Sequence, residues 1–207
     1  MRDFFIDSSK TLDDFLDCLQ SAETIAFDTE FVSEHSYKPD LCLIQVATRD
    51  VVGVIDPKAI RDLTPFWDRL TAPNTEIIVH AAREEYRFCK RESGKRPAKL
   101  FDVQVAAGMV GIEYPAAYST LIQKILGENL PKGETRTDWR KRPLTSKQIE
   151  YGQKDVLYLH SLYDWANKEL AKQARAEWFL DEMELQQSKF ENQDSEYAWT
   201  RLSGLNS

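Results

Sequence analysis

Two pairs of side chains, far apart in the chain, have the residue types and spacing of a metal-dependent active site. Asp28 and Glu30 interrupt the apolar run 25–31, and residues two apart on a strand point to the same face, so both carboxylates should project together. Tyr151 and Asp155 are four residues apart, which places them on one face of a helix. Because burying an unpaired charge is costly, carboxylates inside apolar runs predict a bound cation. A metal-dependent enzyme is therefore the first hypothesis.

Each pair also has a plainer interpretation. Asp28 and Glu30 could face solvent from an edge strand, although their apolar neighbours argue against this. Tyr151 and Asp155 taken alone would suit an ordinary exposed helix face. Only their occurrence together with other motifs favours a catalytic role over a purely structural one.

The composition predicts one globular domain, with room for an appendage, in a reducing compartment. The chain has 207 residues, of which 42% are hydrophobic, enough for a full core. Its three cysteines, Cys18, Cys42 and Cys89, share no metal-binding spacing and are interpreted as small buried side chains rather than as a zinc site or a disulfide framework. There is no apolar secretion signal and no run of eighteen apolar residues, so we expect a cytoplasmic protein without membrane contact.

The net charge of −7 is a mild argument against a generic nucleic-acid binder. A carboxylate cluster that binds metal adds to this negative count, yet it is neutralised once loaded. The charge is also uneven, because basic residues outnumber acidic ones between Lys132 and Arg142. A polynucleotide substrate therefore stays compatible with the acidic total.

The hydrophobic periodicity predicts an α/β domain, with a mixed sheet and helices on both sides. The short connection at residues 49–50 predicts an antiparallel pair of strands, and Thr145 with Gln148 forms a capping box that opens a long helix. Strands are predicted over 24–31, 41–48, 51–56, 76–80 and 99–102. Helices are predicted over 8–20, 59–70, 82–91, 103–110, 119–126, 146–171 and, as an amphipathic stretch, 173–190.

The ordered motifs resemble the DEDD superfamily of 3′-to-5′ exonucleases, in its tyrosine-containing (DEDDy) branch, and within it ribonuclease D. The first motif, Asp-x-Glu, is Asp28-Thr29-Glu30, and the third, Tyr-x-x-x-Asp, is residues 151–155. The second motif follows a His-Ala strand end, here His80-Ala81. Segments 39–47, 101–107, 132–139 and 142–145 also look like ribonuclease D, so the resemblance spans roughly residues 3 to 200.

This resemblance implies a ribonuclease H-like fold and catalysis by two divalent metal ions, Mg²⁺ or Mn²⁺, about 3.5–4 Å apart. It implies Asp28 as the bridging ligand, with Glu30 and Asp155 completing the site of the ion that activates water. Tyr151, with an ordinary pKa of about 10, would orient the attacking water rather than act as a free base.

Glu85 stands where the family has the aspartate of its second motif. Its side chain is one methylene longer, so its carboxylate reaches further. In the family this carboxylate commonly acts on the metals through a water molecule, and such an indirect contact tolerates the extra length. We expect retained but altered activity. Glu84 is the rival for this role, and one helical residue rotates about 100°, so both cannot face the site equally. Glu85 is favoured because it stands where the family aspartate is expected.

Candidate substrate-binding residues are drawn from three places, and each has a plainer alternative. The basic run supplies Lys132, Arg136 and Arg140 as a phosphate-contacting rim, or simply as solvated charge. Trp139 could stack on a base or pack the loop against the domain. His80 could approach the substrate or be a hydrogen-bonded histidine at a strand end, and Tyr37 is a further candidate in the loop after the first strand.

The resemblance implies a 3′-to-5′ exoribonuclease that releases 5′-mononucleotides, in tRNA or other structured RNA processing. An exonuclease of single-stranded DNA and a catalytically weak RNA-binding module stay open as alternatives. We expect the exonuclease domain over residues 1–172 and a helical extension over 173–207, where a helicase-and-ribonuclease-D C-terminal domain would begin but is absent; a naturally short and a truncated chain are equally compatible. Ribonuclease D-like proteins are typically monomers, which is the expectation here.

Overall fold

A six-stranded mixed sheet forms the centre of the protein, which is described from a computed structural model over residues 1–33, 38–130 and 137–195. Its strands are β1 (Arg2–Ile6), β2 (Thr24–Val32), β3 (Asp40–Ala47), β4 (Val51–Ile55), β5 (Glu76–Val79) and β6 (Lys99–Asp102), in the spatial order β1-β4-β3-β2-β5-β6. The pairs β2–β3 and β3–β4 are antiparallel, and the other three are parallel. The predicted mixed sheet and its antiparallel hairpin are confirmed, whereas β1 was not predicted.

Helices cover the sheet on both faces. They are α1 (Ser9–Leu19), α2 (Thr64–Leu70), α3 (Arg83–Ser93), α4 (Val103–Met109), α5 (Tyr118–Leu121) with a π-helical turn over Ile122–Leu126, α6 (Ser146–Leu157), α7 (Leu159–Lys172) and α8 (Ala176–Ser195). The predicted capping box opens α6, where the Thr145 side chain accepts from the Gln148 backbone N–H. No helix in the described ranges is both long enough and apolar enough to cross a membrane. The three cysteines are free thiols; Cys42 and Cys89 are buried, as predicted, whereas Cys18 is only half-buried.

Two predicted helices have different bounds in the structure. The helix predicted over 146–171 is divided at Tyr158, whose backbone N–H donates to the Tyr118 hydroxyl at 3.2 Å, a tertiary contact that helical periodicity does not reveal. The helix predicted over 59–70 begins only at Thr64, because the Asp62 carboxylate accepts from the Thr64 backbone N–H at 2.9 Å and forms a turn there.

Successive residues of β2 separate an aromatic core from the acidic face. The ring of Phe27 packs against Phe66 and Trp67 of α2, with centroids 6.4 and 6.0 Å away. The neighbouring side chain, Asp28, points to the opposite face, since strand residues alternate. Helix α6 covers that opposite face, across β2, β3 and β4. The acidic residues of β2 therefore meet the residues of α6.

Gly152 lets α6 lie close to the sheet. A Cβ atom at this position would lie 3.0 Å from Leu43 Cδ2 and 3.3 Å from Gln45 Cγ, tighter than ordinary van der Waals contact. A larger residue would therefore push the helix outward. Because Tyr151 precedes Gly152 directly and Asp155 follows one turn later, this close approach sets how deeply both side chains reach.

The segment before α6 is held by a buried ion pair between Arg142 and Asp56. The guanidinium donates from Nε and Nη2 to the two Asp56 carboxylate oxygens at 2.6 and 2.7 Å, and from Nη2 to the Cys42 carbonyl at 2.7 Å. Asp56 is only 4% exposed. The side chain of Arg142, the last residue of the basic run, is therefore directed towards the protein interior.

Replacing Gly152 with Ala should destabilise the protein by about 1–3 kcal/mol, because the added methyl group overpacks the contact between α6 and β3. Urea denaturation measures this change. The exposed Lys147→Ala substitution on the same helix is the control, expected to change stability by no more than about 0.5 kcal/mol. Equal stability of the two variants would show that α6 moves freely against the sheet.

Candidate active site

A cavity of about 140 Å³ lies where β2 faces α6. It is lined by Asp28, Glu30, His80, Tyr118, Tyr151, Asp155 and Leu159. Four of the five predicted catalytic residues, distant in sequence, thus share one small cavity. A larger groove of about 430 Å³, between the start of β3 and α2, contains none of them.

Glu85, the fifth predicted residue, lies behind Asp28. It is only 5% exposed, its carboxylate accepts a hydrogen bond from the Thr29 hydroxyl at 3.0 Å, and its side chain is hydrogen-bonded to that of Asp28. Glu84 instead points outward and pairs with Arg87 at 3.1 Å. The geometry therefore favours Glu85 over Glu84 as the acid of the second motif.

Asp28 and Glu85 are two buried carboxyl groups joined by a hydrogen bond, and the pKa of each is raised. Burial, ahead of every other cause, raises the pKa of Asp28 to about 7. Burial also raises the pKa of Glu85 well above its ordinary value, and the negative charge of Asp28 adds to this increase. Two adjacent carboxyl groups in such a site cannot both be ionised without a counter-charge.

Asp102 fixes the start of the helix that carries Glu85. Its buried carboxylate accepts from the backbone N–H groups of Ala81 at 3.1 Å, Ala82 at 2.9 Å and Gln104 at 2.8 Å. Ala81 adopts a left-handed φ of 63°, and these hydrogen bonds hold the chain in that turn. Sequence reasoning missed this role, because an aspartate between a strand and a helix indicates only an ordinary helix cap.

Tyr151 and Asp155 form the opposite wall of the cavity. The Tyr151 hydroxyl donates to the Asp155 carboxylate, and burial, followed by the charges of Asp155 and Glu30, raises the pKa of Tyr151. Burial and then the charges of Asp28 and Glu30 raise the pKa of Asp155 to about 9. Burial, followed by the charge of Asp28, raises the pKa of Glu30 to about 7. The tyrosine therefore stays protonated and acts as a hydrogen-bond donor.

The donor set fits a divalent cation that prefers oxygen ligands. Burial raises the pKa of Asp28, Glu30, Glu85 and Asp155, and the charge of Asp28 raises it further at the other three, so a cation among them would favour their ionised forms. In the described part of the chain, no three His, Cys, Asp or Glu side chains form a ready-made metal cluster. The hydrogen bonds above give the reason: Asp28 is turned towards Glu85, and Asp155 is held by Tyr151. Binding a cation requires the carboxylates to turn towards one another.

His80 lines the wall of the cavity, which is where a residue that contacts the substrate must lie. Its Nε2 is 2.8 Å from the Ala116 carbonyl oxygen, which can only accept, so this nitrogen carries a proton. Its ring also lies against that of Tyr118, with centroids 5.6 Å apart. His80 is thus a hydrogen-bonded residue at a strand end that also faces the cavity, and its role in substrate binding stays a prediction.

Trp139 does not have the setting that base stacking requires. It is 5% exposed and packs with Cys42, Leu43 and Val54, while its ring lies 6.0 Å from that of Tyr151. A ring with so little exposed surface supports the fold beneath Tyr151 and cannot offer a free face to a base. The prediction of stacking is therefore corrected in favour of packing.

The other candidate substrate contacts are only partly described. Arg140 is half exposed and donates from Nε to the Asp138 carboxylate at 3.0 Å, so part of its charge is neutralised locally. Tyr37, Lys132 and Arg136 lie outside the described residues. Their contact with a nucleic acid stays a prediction.

Comparisons with known proteins give one consistent match. Residues 4–171 match the family model described as 3′-5′ exonuclease. Ribonuclease D of Sphingobium indicum is 40% identical over 202 residues, which cover 95% of this chain and 52% of that protein. Ribonuclease D of a Shewanella strain is 36% identical over 184 residues, which cover 88% of this chain and 47% of that protein. The chain spans about half the length of the curated relatives it matches.

Solved structures give the same fold. The crystal structure of Escherichia coli RNase D, described as an exoribonuclease involved in structured RNA processing, matches with a TM-score of 0.86 and 31% identity over 92% of this chain and 51% of that one. NrnC of Brucella melitensis with bound Mg²⁺ matches with a TM-score of 0.80 over 100% of this chain and 99% of that one. At 19% identity, the second match shows the fold alone.

In the metal-free protein, replacing Asp155 with Asn should raise the melting temperature, and more at pH 8 than at pH 5. The ordinary pKa of this carboxyl is 3.8 and its pKa in the fold is about 9. Between these values the unfolded chain binds fewer protons than the folded one, so stability falls as the pH rises through the window. The uncharged amide introduced by Asp155→Asn does not titrate, so the variant avoids this loss of stability at high pH.

Thermal denaturation in EDTA at both pH values measures the effect, and about 1 kcal/mol corresponds to about 2–4 °C for a chain of this size. Asp164→Asn is the control, because the hydrogen bond from Arg49 lowers the pKa of Asp164 and gives the opposite sign. A lower melting temperature of Asp155→Asn at pH 8 would contradict the prediction.

Proposed function

The chain belongs to the 3′-5′ exonuclease family, and from that premise we propose that it hydrolyses RNA from the 3′ end with two divalent cations, Mg²⁺ or Mn²⁺. The observation that carries this proposal is the meeting of Asp28, Glu30, Tyr151 and Asp155 around one cavity. The two ions are the finer part of the proposal, supported by the number of carboxylates that need a counter-charge. The family and the ribonuclease D-like fold that the sequence motifs predicted are both confirmed.

In this proposal three of the carboxylates bind the cations directly and the fourth acts on them indirectly. Asp28, Glu30 and Asp155 hold the cations, and Glu85, which lies behind Asp28, acts on them through water. Bound cations would supply stabilisation of the negative charge that builds on the attacking and leaving oxygens of a phosphodiester. The Glu85 side chain fits its place, since it fills a buried position and keeps the hydrogen bond from Thr29.

Tyr151 orients the attacking water. Its raised pKa keeps the hydroxyl protonated, so the tyrosine donates or accepts a hydrogen bond without removing a proton. Packing against Trp139 limits the positions of its ring, and Gly152 sets its distance from the sheet. Positioning of this kind lowers the barrier by pre-orienting the nucleophile.

RNA is the proposed substrate because the curated relatives described above are ribonucleases D and because the E. coli structure is described as that of an exoribonuclease involved in structured RNA processing. tRNA or another structured transcript is the natural candidate. NrnC of Brucella melitensis has also been solved bound to pGG. Single-stranded DNA is the competing substrate. A catalytically weak RNA-binding module is the second candidate function, motivated by glutamate at position 85.

A gel assay on 5′-labelled single-stranded RNA and matched DNA, with Mg²⁺, Mn²⁺ or EDTA, tests the proposal. We expect a metal-dependent ladder that shortens from the 3′ end and is faster on RNA. The Asp28→Ala variant should lose this activity by about 10³-fold or more, because it lacks the shared ligand. Lys147→Ala, on the exposed face of α6, is the folded control.

Faster shortening of DNA than of RNA would show that single-stranded DNA, not RNA, is the preferred substrate. No ladder with either ion, from a folded protein that still binds RNA, would instead favour the weak binding module. In that case Glu85→Asp is the decisive variant, because recovery of activity would assign the loss to the longer side chain.

A further inference from the structure

Gln45, in the middle of β3, has a buried polar side chain that the fold does not satisfy. It is 0% exposed, and neither its Nε2 nor its Oε1 has a hydrogen-bond partner in the described part of the chain. Leaving a buried amide unpaired is destabilising, and native cores rarely keep one without a use. An apolar residue of similar size would suit its neighbours Leu43 and Val54 better.

The strand register places Gln45 beside the active site. Gln45 lies directly opposite Asp28 in the antiparallel pair β2–β3. Residues paired in this way point to the same face, with Cβ atoms about 4.5–5.5 Å apart. The side chains of Gln45 and Asp28 are therefore neighbours on the face that α6 covers.

Helix α6 encloses this amide from the other side. A Cβ atom built on Gly152 would lie 3.3 Å from Gln45 Cγ. Gly152 lies between Tyr151 and Asp155 on the helix that forms the second wall of the cavity. Gln45 is thus enclosed between the strand that presents Asp28 and the helix that presents Asp155, where water cannot readily pair with it.

We propose that Gln45 is a positioning residue of the active site, whose amide N–H hydrogen-bonds the Asp28 carboxylate when that carboxylate turns from Glu85 to hold a cation. The structure explains why this bond is not already made, since the Asp28 side chain is hydrogen-bonded to Glu85. The unpaired amide is then a donor held ready for the loaded site. This inference rests on the proposed function, because it requires that Asp28 bind a cation.

The test compares Mn²⁺ affinity and metal-free stability of the Gln45→Met variant, in which a side chain of similar length lacks the amide. Calorimetric titration with Mn²⁺ should show affinity about 10–100-fold weaker than that of the natural sequence, as for other groups that orient metal ligands. The melting temperature in EDTA should be unchanged or higher, because the variant no longer buries an unpaired amide.

Gln187 offers a matched control. It is also buried, at 5% exposure, and its Oε1 lacks a partner among the described residues, but it lies on α8 and does not line the cavity. Gln187→Met should therefore keep the Mn²⁺ affinity of the natural sequence. Gln45→Leu replaces Gln45→Met if the methionine variant does not fold, with the same expected result.

Unchanged Mn²⁺ affinity in a folded Gln45 variant would overturn the inference. A melting temperature of Gln45→Met in EDTA clearly below those of the natural sequence and of Gln187→Met would assign Gln45 to packing and overturn it as well. If the natural sequence itself binds no Mn²⁺, the proposed function fails and this role fails with it.

Discussion

The burial of four neighbouring carboxyl groups is the constraint on which the rest of the structure depends. Burial raises the pKa of Asp28, Glu30, Glu85 and Asp155, and the charge of Asp28 adds to this increase at the other three. Such a cluster costs folding free energy. It persists because the surrounding fold supplies enough packing to hold the acids in place, and a cation that binds them recovers the lost free energy.

The fold meets this constraint with contacts behind the site rather than within it. Asp102 fixes the start of α3 through hydrogen bonds from the backbone N–H groups of Ala81 and Ala82. The ion pair of Arg142 with Asp56 anchors the segment before α6, and Gly152 lets that helix approach the sheet. Each contact positions an element that carries an acid. The strand β2 and the helices α3 and α6 therefore converge with little freedom to relieve the repulsion.

Periodicity and ordered motifs were enough to predict every strand except β1, most helices and the four catalytic candidates that meet in the cavity, because spacing of two or four residues determines which side chains share a face. Contacts between distant segments were not predictable in this way. Tyr118 divides the helix predicted over 146–171, and the burial of Trp139 rules out base stacking. Gln45 is an ordinary polar residue in the sequence, and only the register with Asp28 and the closeness of Gly152 reveal its setting.

The most direct measurement is the number of protons released when Mn²⁺ or Mg²⁺ binds, from calorimetric titrations at pH 7 in two buffers of different ionisation enthalpy. Carboxyl groups whose pKa values lie at about 7 and about 9 retain protons at this pH, and a cation must displace them. Release of about one proton or more per protein, lost in Asp28→Ala, is the predicted result. Cation binding without proton release would show that these acids are already ionised, and no binding at all would show that the cluster is not a metal site.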